Sequence, residues 1–222
     1  MDILSNIFPA EYLPQLLTIT LLQIIGVMSP GPDFAMIVRN SLVHGRGPGV
    51  MTALGITGGI FVHLSYLSLG LGAVVMQSIV VLTALKIIGC SYLIFIGIKG
   101  LRARQQEQAA SDLVLAGQGS TSMSNVAAFT SGFMCQATNP KAILFFLSLF
   151  TVVIDPATPM SVMGVYSAVI GLTTIAWFTT VALFLTHPSI RQVFTRLGHW
   201  IDRITGGILV ALGIKIAFTA AR

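Results

Sequence analysis

Two long stretches without a formal charge constrain this chain more than any other feature. No Asp, Glu, Lys or Arg occurs from residue 47 to residue 85, or from residue 156 to residue 190. Of all residues, 55% are hydrophobic and only 9% are charged, whereas a soluble domain carries about 25% charged residues. Because one helix needs about 20 apolar residues to cross a bilayer, the sequence predicts a polytopic membrane protein.

The apolar runs divide into six predicted spans, all of them helical. Their approximate ranges are 13–38, 49–69, 76–98, 125–152, 163–186 and 204–221. Spans 2 and 3 are expected to join near Gly70-Leu71-Gly72, because the uncharged stretch that contains them is long enough for two helices. The fold class is therefore all-α, with the lipid bilayer as its surroundings.

The basic residues predict the orientation of these spans. Eight of the 12 Lys and Arg residues follow span 1, span 3 or span 5, namely Arg39, Arg46, Lys99, Arg102, Arg104, Arg191, Arg196 and Arg203. Because loops rich in Lys and Arg stay in the cytoplasm, we expect loops 1–2, 3–4 and 5–6 to be cytoplasmic and both termini to lie outside. The net charge of +5 is scattered in this way, so it does not indicate a nucleic-acid partner.

The chain is interpreted as one transmembrane domain, residues 1–222, made of two related halves. A segment rich in Gln, Ala, Ser and Gly, residues 105–124, separates residues 1–104 from residues 125–222. Ser29-Pro30 recurs as Asn139-Pro140, and the apolar-Gly-Ile-Lys motif that ends span 3, residues 96–99, recurs within span 6 at residues 212–215. A repeat of three spans must place its second copy upside down, which predicts the inverted 3+3 repeat of secondary transporters.

Two proline motifs interrupt the apolar runs of spans 1 and 4. They read Ser29-Pro30-Gly31-Pro32-Asp33 and Asn139-Pro140-Lys141. Proline removes a backbone donor and clashes with the preceding turn, and such breaks persist at membrane depth only where protein or a water-filled cavity surrounds them. Ser29 and Asn139 are predicted to be N-caps, each with a proline at the first position of a new half-helix.

The two breaks also carry opposite charges, Asp33 and Lys141. Each charge costs about 2.5–3.5 kcal/mol at the bilayer centre, and a substrate with an ammonium and a carboxylate would offset both. The predicted substrate-binding residues are Asp33, Lys141, Ser29, Pro30, Gly31, Pro32, Asn139 and Pro140. The alternatives are an Asp33 that only favours a helix start and a Lys141 that is neutral or paired with Asp33.

Further polar and aromatic residues within the spans are candidates to line a pore, namely His63, Trp177 and Gln23. Each has an alternative interpretation, because His63 and Gln23 could bond to neighbouring helices and Trp177 could be a packing or anchoring residue. Cys90 and Cys135 are expected to be packing residues. No metal site and no cofactor is expected from these residues.

The function class follows from what the spans contain. None of the common nucleophile, zinc or nucleotide motifs occurs in the sequence, so we expect a transporter driven by an ion gradient rather than an enzyme. Two alternatives remain. An exporter of metal ions or other cations would concentrate His, Asp or Cys within the spans, and a membrane-embedded enzyme or redox protein would show paired catalytic groups or a C-x-x-C motif.

Taken together, these motifs resemble the LysE/RhtB amino-acid exporter family, in particular its threonine-efflux branch. The resemblance rests on the two breaks, on Gly55-Ile56-Thr57, on Gly97-Ile98-Lys99 and on Ala176-Trp177-Phe178-Thr179. It implies a bacterial inner-membrane exporter of a small neutral amino acid of the threonine or homoserine type, coupled to protons. A homodimer is left open. One departure is that Leu149-Phe150-Thr151-Val152 replaces the Leu-Pro-Gln-Phe stretch of many relatives.

Overall fold

Most of the part of the chain described by the computed structural model is helical. That part comprises residues 8–29, 31–77, 79–102, 123–155, 157–184, 199–200, 203–204, 206–211 and 213–214. Its helices are α1 Leu13–Met28, α2 Pro32–His44, α3 Arg46–Gln77, α4 Ile79–Leu101, α5 Asn125–Ala137, α6 Pro140–Val152 and α7 Met160–Phe184. Most of the predicted linker and much of predicted span 6 lie outside these ranges.

The two predicted helix breaks are both present. Predicted span 1 consists of α1 and α2, which are separated by residues 29–31, and predicted span 4 consists of α5 and α6, which are separated by Thr138 and Asn139. Among the described residues, three unbroken segments are long and apolar enough to cross a membrane, namely Ala10–Met28, Arg46–Gly70 and Met160–Phe184. The all-α fold with broken helices 1 and 4 is therefore confirmed, whereas the inverted relation of the two halves stays a prediction.

The junction between spans 2 and 3 was predicted at the wrong place. α3 continues through residues 70–72 and ends only at Gln77. No proline occurs in this stretch, and a single glycine in a helix costs only about 1 kcal/mol relative to alanine. In lipid, every broken helical hydrogen bond leaves a polar group without a partner, so glycine alone does not end the helix.

Glycines set the closest helix crossing. A Cβ atom on Gly55 of α3 would collide with the backbone carbonyl of Phe129 in α5, and one on Gly132 of α5 would collide with the carbonyl of Thr52. A Cβ atom on Gly59 would lie 2.8 Å from the Cβ of Gln136. α3 and α5 therefore approach backbone to backbone, as small residues permit in membrane helices. This contact brings the end of α5 against the middle of α3.

The buried side chains form two apolar clusters. The first cluster contains residues of α1, α6, the later part of α3 and the first part of α7. The second contains residues of α2, the earlier part of α3 and the last part of α7. α1 and α2 thus belong to different clusters, and the break between them lies where one cluster gives way to the other. Buried polar side chains also occur along α3 and α7, among them Thr57, His63 and Thr174.

α1 and α7 run side by side in the same direction. Gln15 bonds to Tyr166, and Gln23 bonds to Thr174, so both pairs are separated by 151 residues in sequence. A constant separation over two helical turns means that the two helices are parallel and in register. α7 therefore packs alongside α1 on the stretch that leads to the first break.

Candidate functional site

The second break has the local structure that its sequence predicts. Asn139 is the N-cap of α6, and its Oδ1 accepts a hydrogen bond of 3.0 Å from the backbone N–H of Lys141. Pro140 occupies the first turn of α6, where a helix does not need the missing backbone donor. The sequence rule works here because this motif contains one cap residue and one proline, so only one position can begin the helix.

The first break differs from the prediction. Ser29 caps the C-terminal end of α1 rather than the start of α2. The N-cap of α2 is Gly31, in an extended conformation with φ −166°, and Pro32 is at the helix start. The motif contains two prolines, and the second one, not Pro30, begins the helix. Pro30 itself lies outside the described residues, so its predicted role is a proposal without a structural description.

Asp33 lies in the first turn of α2 and points at the end of α5. The amide Nδ2 of Asn139 donates to Asp33 Oδ2 at 3.0 Å. The Gln136 amide, oriented with its nitrogen toward the carboxylate because the carboxylate can only accept, donates to Oδ2 at 2.7 Å and to Oδ1 at 3.1 Å. The Cys135 thiol is a further hydrogen-bond partner of Asp33. The carboxylate is thus solvated by neutral groups of the second break.

Lys141 lies at the start of α6 and reaches back to the first break. Its ammonium Nζ donates to Ser29 Oγ at 3.0 Å. The same nitrogen would lie only 3.3 Å from a Cβ atom on Gly31, so it passes directly over the Gly31 backbone. The Lys141 carbonyl accepts a hydrogen bond from the Tyr92 hydroxyl of α4 at 3.2 Å. These contacts place the cation beside the first break.

The structure therefore brings five of the predicted site residues together, namely Ser29, Gly31, Asp33, Asn139 and Lys141. Each break supplies a charge and each holds the charge of the other, because Asn139 binds Asp33 and Ser29 binds Lys141. A helix start is a favourable place for an anion such as Asp33 and an unfavourable one for a cation, which explains why Lys141 extends away from its own helix. Such a site holds a carboxylate and an ammonium that interact electrostatically, and each of them has a neutral polar partner.

His63 of α3 lies behind Gln136, as seen from Asp33. Its Nε2 is 3.0 Å from the carbonyl oxygen of Gln136, and its Nδ1 is 3.0 Å from the Tyr66 hydroxyl. Because a carbonyl only accepts, Nε2 carries a hydrogen. The ring also stacks on Phe146, with centroids 5.9 Å apart. His63 thus contacts Gln136, which in turn binds Asp33. This agrees with the interpretation in which His63 bonds to a neighbouring helix, and these contacts do not test a pore-lining role.

Gln23 and Trp177 lie along the α1–α7 contact. Gln23 is buried and its Nε2 donates to Thr174 Oγ1 at 2.8 Å. Trp177 is partly buried, three residues after Thr174 on α7, and packs with Val27 and Phe34 against the second apolar cluster. Both residues lie along the helices that lead to the first break, and their contact with substrate stays a proposal.

Sequence reasoning did not select Gln136 and treated Cys135 as a packing residue. Both precede the Asn139-Pro140 motif in the last turn of α5. A glutamine in an apolar helix, one turn before a proline break, is a signal that could have identified Gln136, since the end of a broken helix faces the same cavity as its continuation. Cys135 carries no comparable signal.

Within the described residues, no group of three or more His, Cys, Asp or Glu side chains could hold a metal ion. The contacts around Asp33 come from two amides and a thiol. Amide nitrogens donate hydrogen bonds and do not ligate cations, so this arrangement does not favour the cation-exporter alternative.

Comparison with known proteins identifies the family. The LysE type translocator family matches residues 24–219 of the chain. The chain belongs to that family. It is 32% identical to the threonine efflux protein of Salmonella typhi over 204 residues, which cover 90% of this chain and 95% of that protein. It is 31% identical over 205 residues to the threonine efflux protein of Escherichia coli strain K12, covering 90% of this chain and 96% of that protein.

The chain also matches a more distant relative. The uncharacterized membrane protein YahN of Escherichia coli strain K12 is 27% identical over 195 residues, which cover 88% of this chain and 85% of that protein. No solved structure matches the chain. A LysE type translocator is a membrane transporter and not an enzyme, which confirms the predicted class. The match includes both helix breaks, so the crossed contacts between them lie within the family region.

Proposed function

We propose that this LysE family member exports a small neutral amino acid of the threonine or homoserine type across the bacterial inner membrane, in exchange for protons. The observation that carries the proposal is the crossed contact between the two helix breaks, each of which carries one charge of opposite sign. Asp33 and Lys141 are both held by neutral side chains of the opposite break. The similarity to threonine efflux proteins over 90% of the chain supports the substrate class.

The geometry suits a zwitterion. In the proposed complex the substrate ammonium binds the Asp33 carboxylate, and the substrate carboxylate binds the Lys141 ammonium together with the backbone N–H groups at the helix starts. Each of these charges is costly at membrane depth, so a ligand that neutralises both binds more tightly than one that neutralises only one. An uncharged or singly charged analogue is therefore expected to bind weakly.

The same carboxylate supplies a way to couple protons. Asp33 can hold either a proton or the substrate ammonium, but it cannot hold both at once. The titratable groups around it are Cys135, Lys141 and, behind Gln136, His63. If alternating access exposes Asp33 to each side of the membrane in turn, this competition makes outward movement of the amino acid depend on inward movement of a proton.

Transport by purified protein in lipid vesicles tests the proposal. Vesicles loaded with labelled threonine should release it faster when a pH gradient is imposed. The Asp33→Asn and Lys141→Ala variants should each release threonine at least about tenfold more slowly than the parent. Thermal stability in detergent shows whether the variants are folded. Folded variants that export threonine as fast as the parent would show that the site is assigned wrongly.

Orientation and location are part of the same proposal. We propose that the loops after α2, after α4 and after α7 face the cytoplasm, because they carry most of the basic residues. Single cysteines placed at Gly47 and at Ala157, in a background without Cys90 and Cys135, should then label from opposite sides of intact cells. Labelling of both from the same side would contradict this topology.

A further inference from the structure

Gln23 has a buried hydrogen-bond acceptor that no group in the described part of the chain satisfies. Its side chain is 1% exposed, and Oε1 has no donor within hydrogen-bond distance. Its Nε2 donates to Thr174 Oγ1 at 2.8 Å. Most buried polar side-chain atoms in folded proteins have a partner, so this oxygen is an exception that needs an explanation.

The orientation of the Gln23 amide follows from its neighbour. The Thr174 hydroxyl donates its single hydrogen to the carbonyl of Ile170 at 2.8 Å. Its oxygen can therefore only accept from Gln23, so the nitrogen must face Thr174 and the unsatisfied atom must be the amide oxygen. The Gln23 amide oxygen is therefore held in a fixed orientation, and it is an acceptor that lacks a donor.

Gln23 lies on the stretch of α1 that leads to the first break. Ser29 follows six residues later, which is about 9 Å along a helix. Between them, Gly26 packs directly on Phe145, because a Cβ atom there would lie 2.8 Å from the ring. Phe145 is one turn after Lys141 on α6. This part of α1 therefore runs beside the same part of α6 that carries the Lys141 ammonium.

We propose that Gln23 Oε1 accepts a hydrogen bond from the side-chain hydroxyl of the substrate and so selects hydroxy amino acids over apolar ones of the same shape. This inference rests on the proposed function, because it adds a third contact to the proposed zwitterion site. The substrate ammonium already has a charged partner in Asp33, which leaves the neutral acceptor at Gln23 for a neutral donor. An apolar side chain at this place would leave the buried oxygen unsatisfied, a cost that discriminates strongly between otherwise similar ligands.

Competition between threonine and valine tests the inference, since valine replaces the hydroxyl by a methyl group. The ratio of their half-saturating concentrations is measured in vesicles for the parent and for Gln23→Met, which keeps the side-chain length and removes the acceptor. We expect the preference for threonine to fall about tenfold, because threonine binds more weakly and valine, which no longer leaves a buried oxygen unsatisfied, binds at least as well as to the parent.

Three further variants keep the test decisive. Thr174→Val releases the Gln23 amide, so it should lower the preference for threonine even if Gln23→Met does not insert, whereas Thr174→Ser should retain that preference. Gln15→Met removes a glutamine of the same helix whose oxygen already accepts from Tyr166 at 2.6 Å, and it should leave the ratio unchanged.

The outcomes separate this inference from the proposed function. A parent that exports threonine while Gln23→Met and Thr174→Val leave the ratio unchanged would overturn the role of Gln23 and leave the export proposal intact. Equal weakening of threonine and valine would also overturn it, because Gln23 would then contact a group that both share. A parent that transports neither amino acid would overturn the export proposal itself.

Discussion

The Asn139 side chain caps α6 at the second helix break and also binds the carboxylate of Asp33 at the first helix break. Its Oδ1 accepts from the backbone of α6, and its Nδ2 donates to Asp33 at 3.0 Å. The two breaks are therefore coupled through one amide, and neither can move without changing the partner of the other. This coupling suits a transporter in which two half-helices must rearrange together around the substrate.

The two functions of Asn139 can be separated by substitution. Asn139→Asp keeps an oxygen that caps α6 but removes the donor to Asp33 and places a second carboxylate beside it. We expect export to fall more than tenfold because the two carboxylates repel, while the cap contribution of about 1 kcal/mol remains. Initial export rates and thermal melting measure the two effects. Asn139→Ala should lose both, and an active Asn139→Asp variant would contradict the contact with Asp33.

Ser29 should affect the binding of substrate through Lys141. Its hydroxyl accepts from the Lys141 ammonium at 3.0 Å, and hydrogen bonds to charged groups contribute about 1.5–3 kcal/mol. Ser29→Ala should therefore shift the threonine concentration at half-maximal export by about tenfold or more, since the ammonium loses its fixed position. Ser29→Thr retains a hydroxyl and is the matched control. Equal values for the two variants would show that the hydroxyl does not position Lys141.

Gly31 should be sensitive to its size rather than to its backbone conformation. Its φ of −166° is accessible to any residue, but an added Cβ atom would lie 3.3 Å from the Lys141 ammonium. Gly31→Ala is expected to reduce the export rate several-fold with little change in melting temperature. Gly47→Ala is the control, because no atom lies within 4 Å of its Cβ position. A marked loss of stability in Gly31→Ala, without loss of rate, would contradict this explanation.

The sequence predicted the site better at one break than at the other, and the reason is physical. Asn139-Pro140 has one proline and one cap, so local rules determine the helix start. The first motif has two prolines on either side of Gly31, and local rules alone do not decide which of them begins α2. The choice depends on tertiary contacts, since Ser29 bonds to Lys141 across the molecule. The end of α3 was missed for a related reason, because glycine breaks a helix only where water or protein satisfies the freed groups.

Cys135 provides a direct measurement of substrate occupancy. It is half-buried and bonds to Asp33, whereas Cys90 is buried. In a Cys90→Ala background, a small methanethiosulfonate reagent should modify Cys135 and stop export, and threonine should slow that reaction in proportion to its binding. Cys135→Ser should remain active and insensitive to the reagent. Modification that threonine does not slow would show that the thiol lies away from the bound substrate.

The crossing of α3 and α5 should determine stability, and it should affect transport only through the loss of stability. A Cβ atom on Gly55 would collide with the carbonyl of Phe129, and extra volume in a close-packed contact costs about 1–3 kcal/mol. Gly55→Ala should therefore lower the melting temperature by several degrees. Gly164→Ala on α7, where no atom lies within 4 Å of the Cβ position, should leave it unchanged. Because the end of α5 carries Gln136, partial loss of export should follow the loss of stability; an unchanged melting temperature in Gly55→Ala would mean that the helices can separate at no cost.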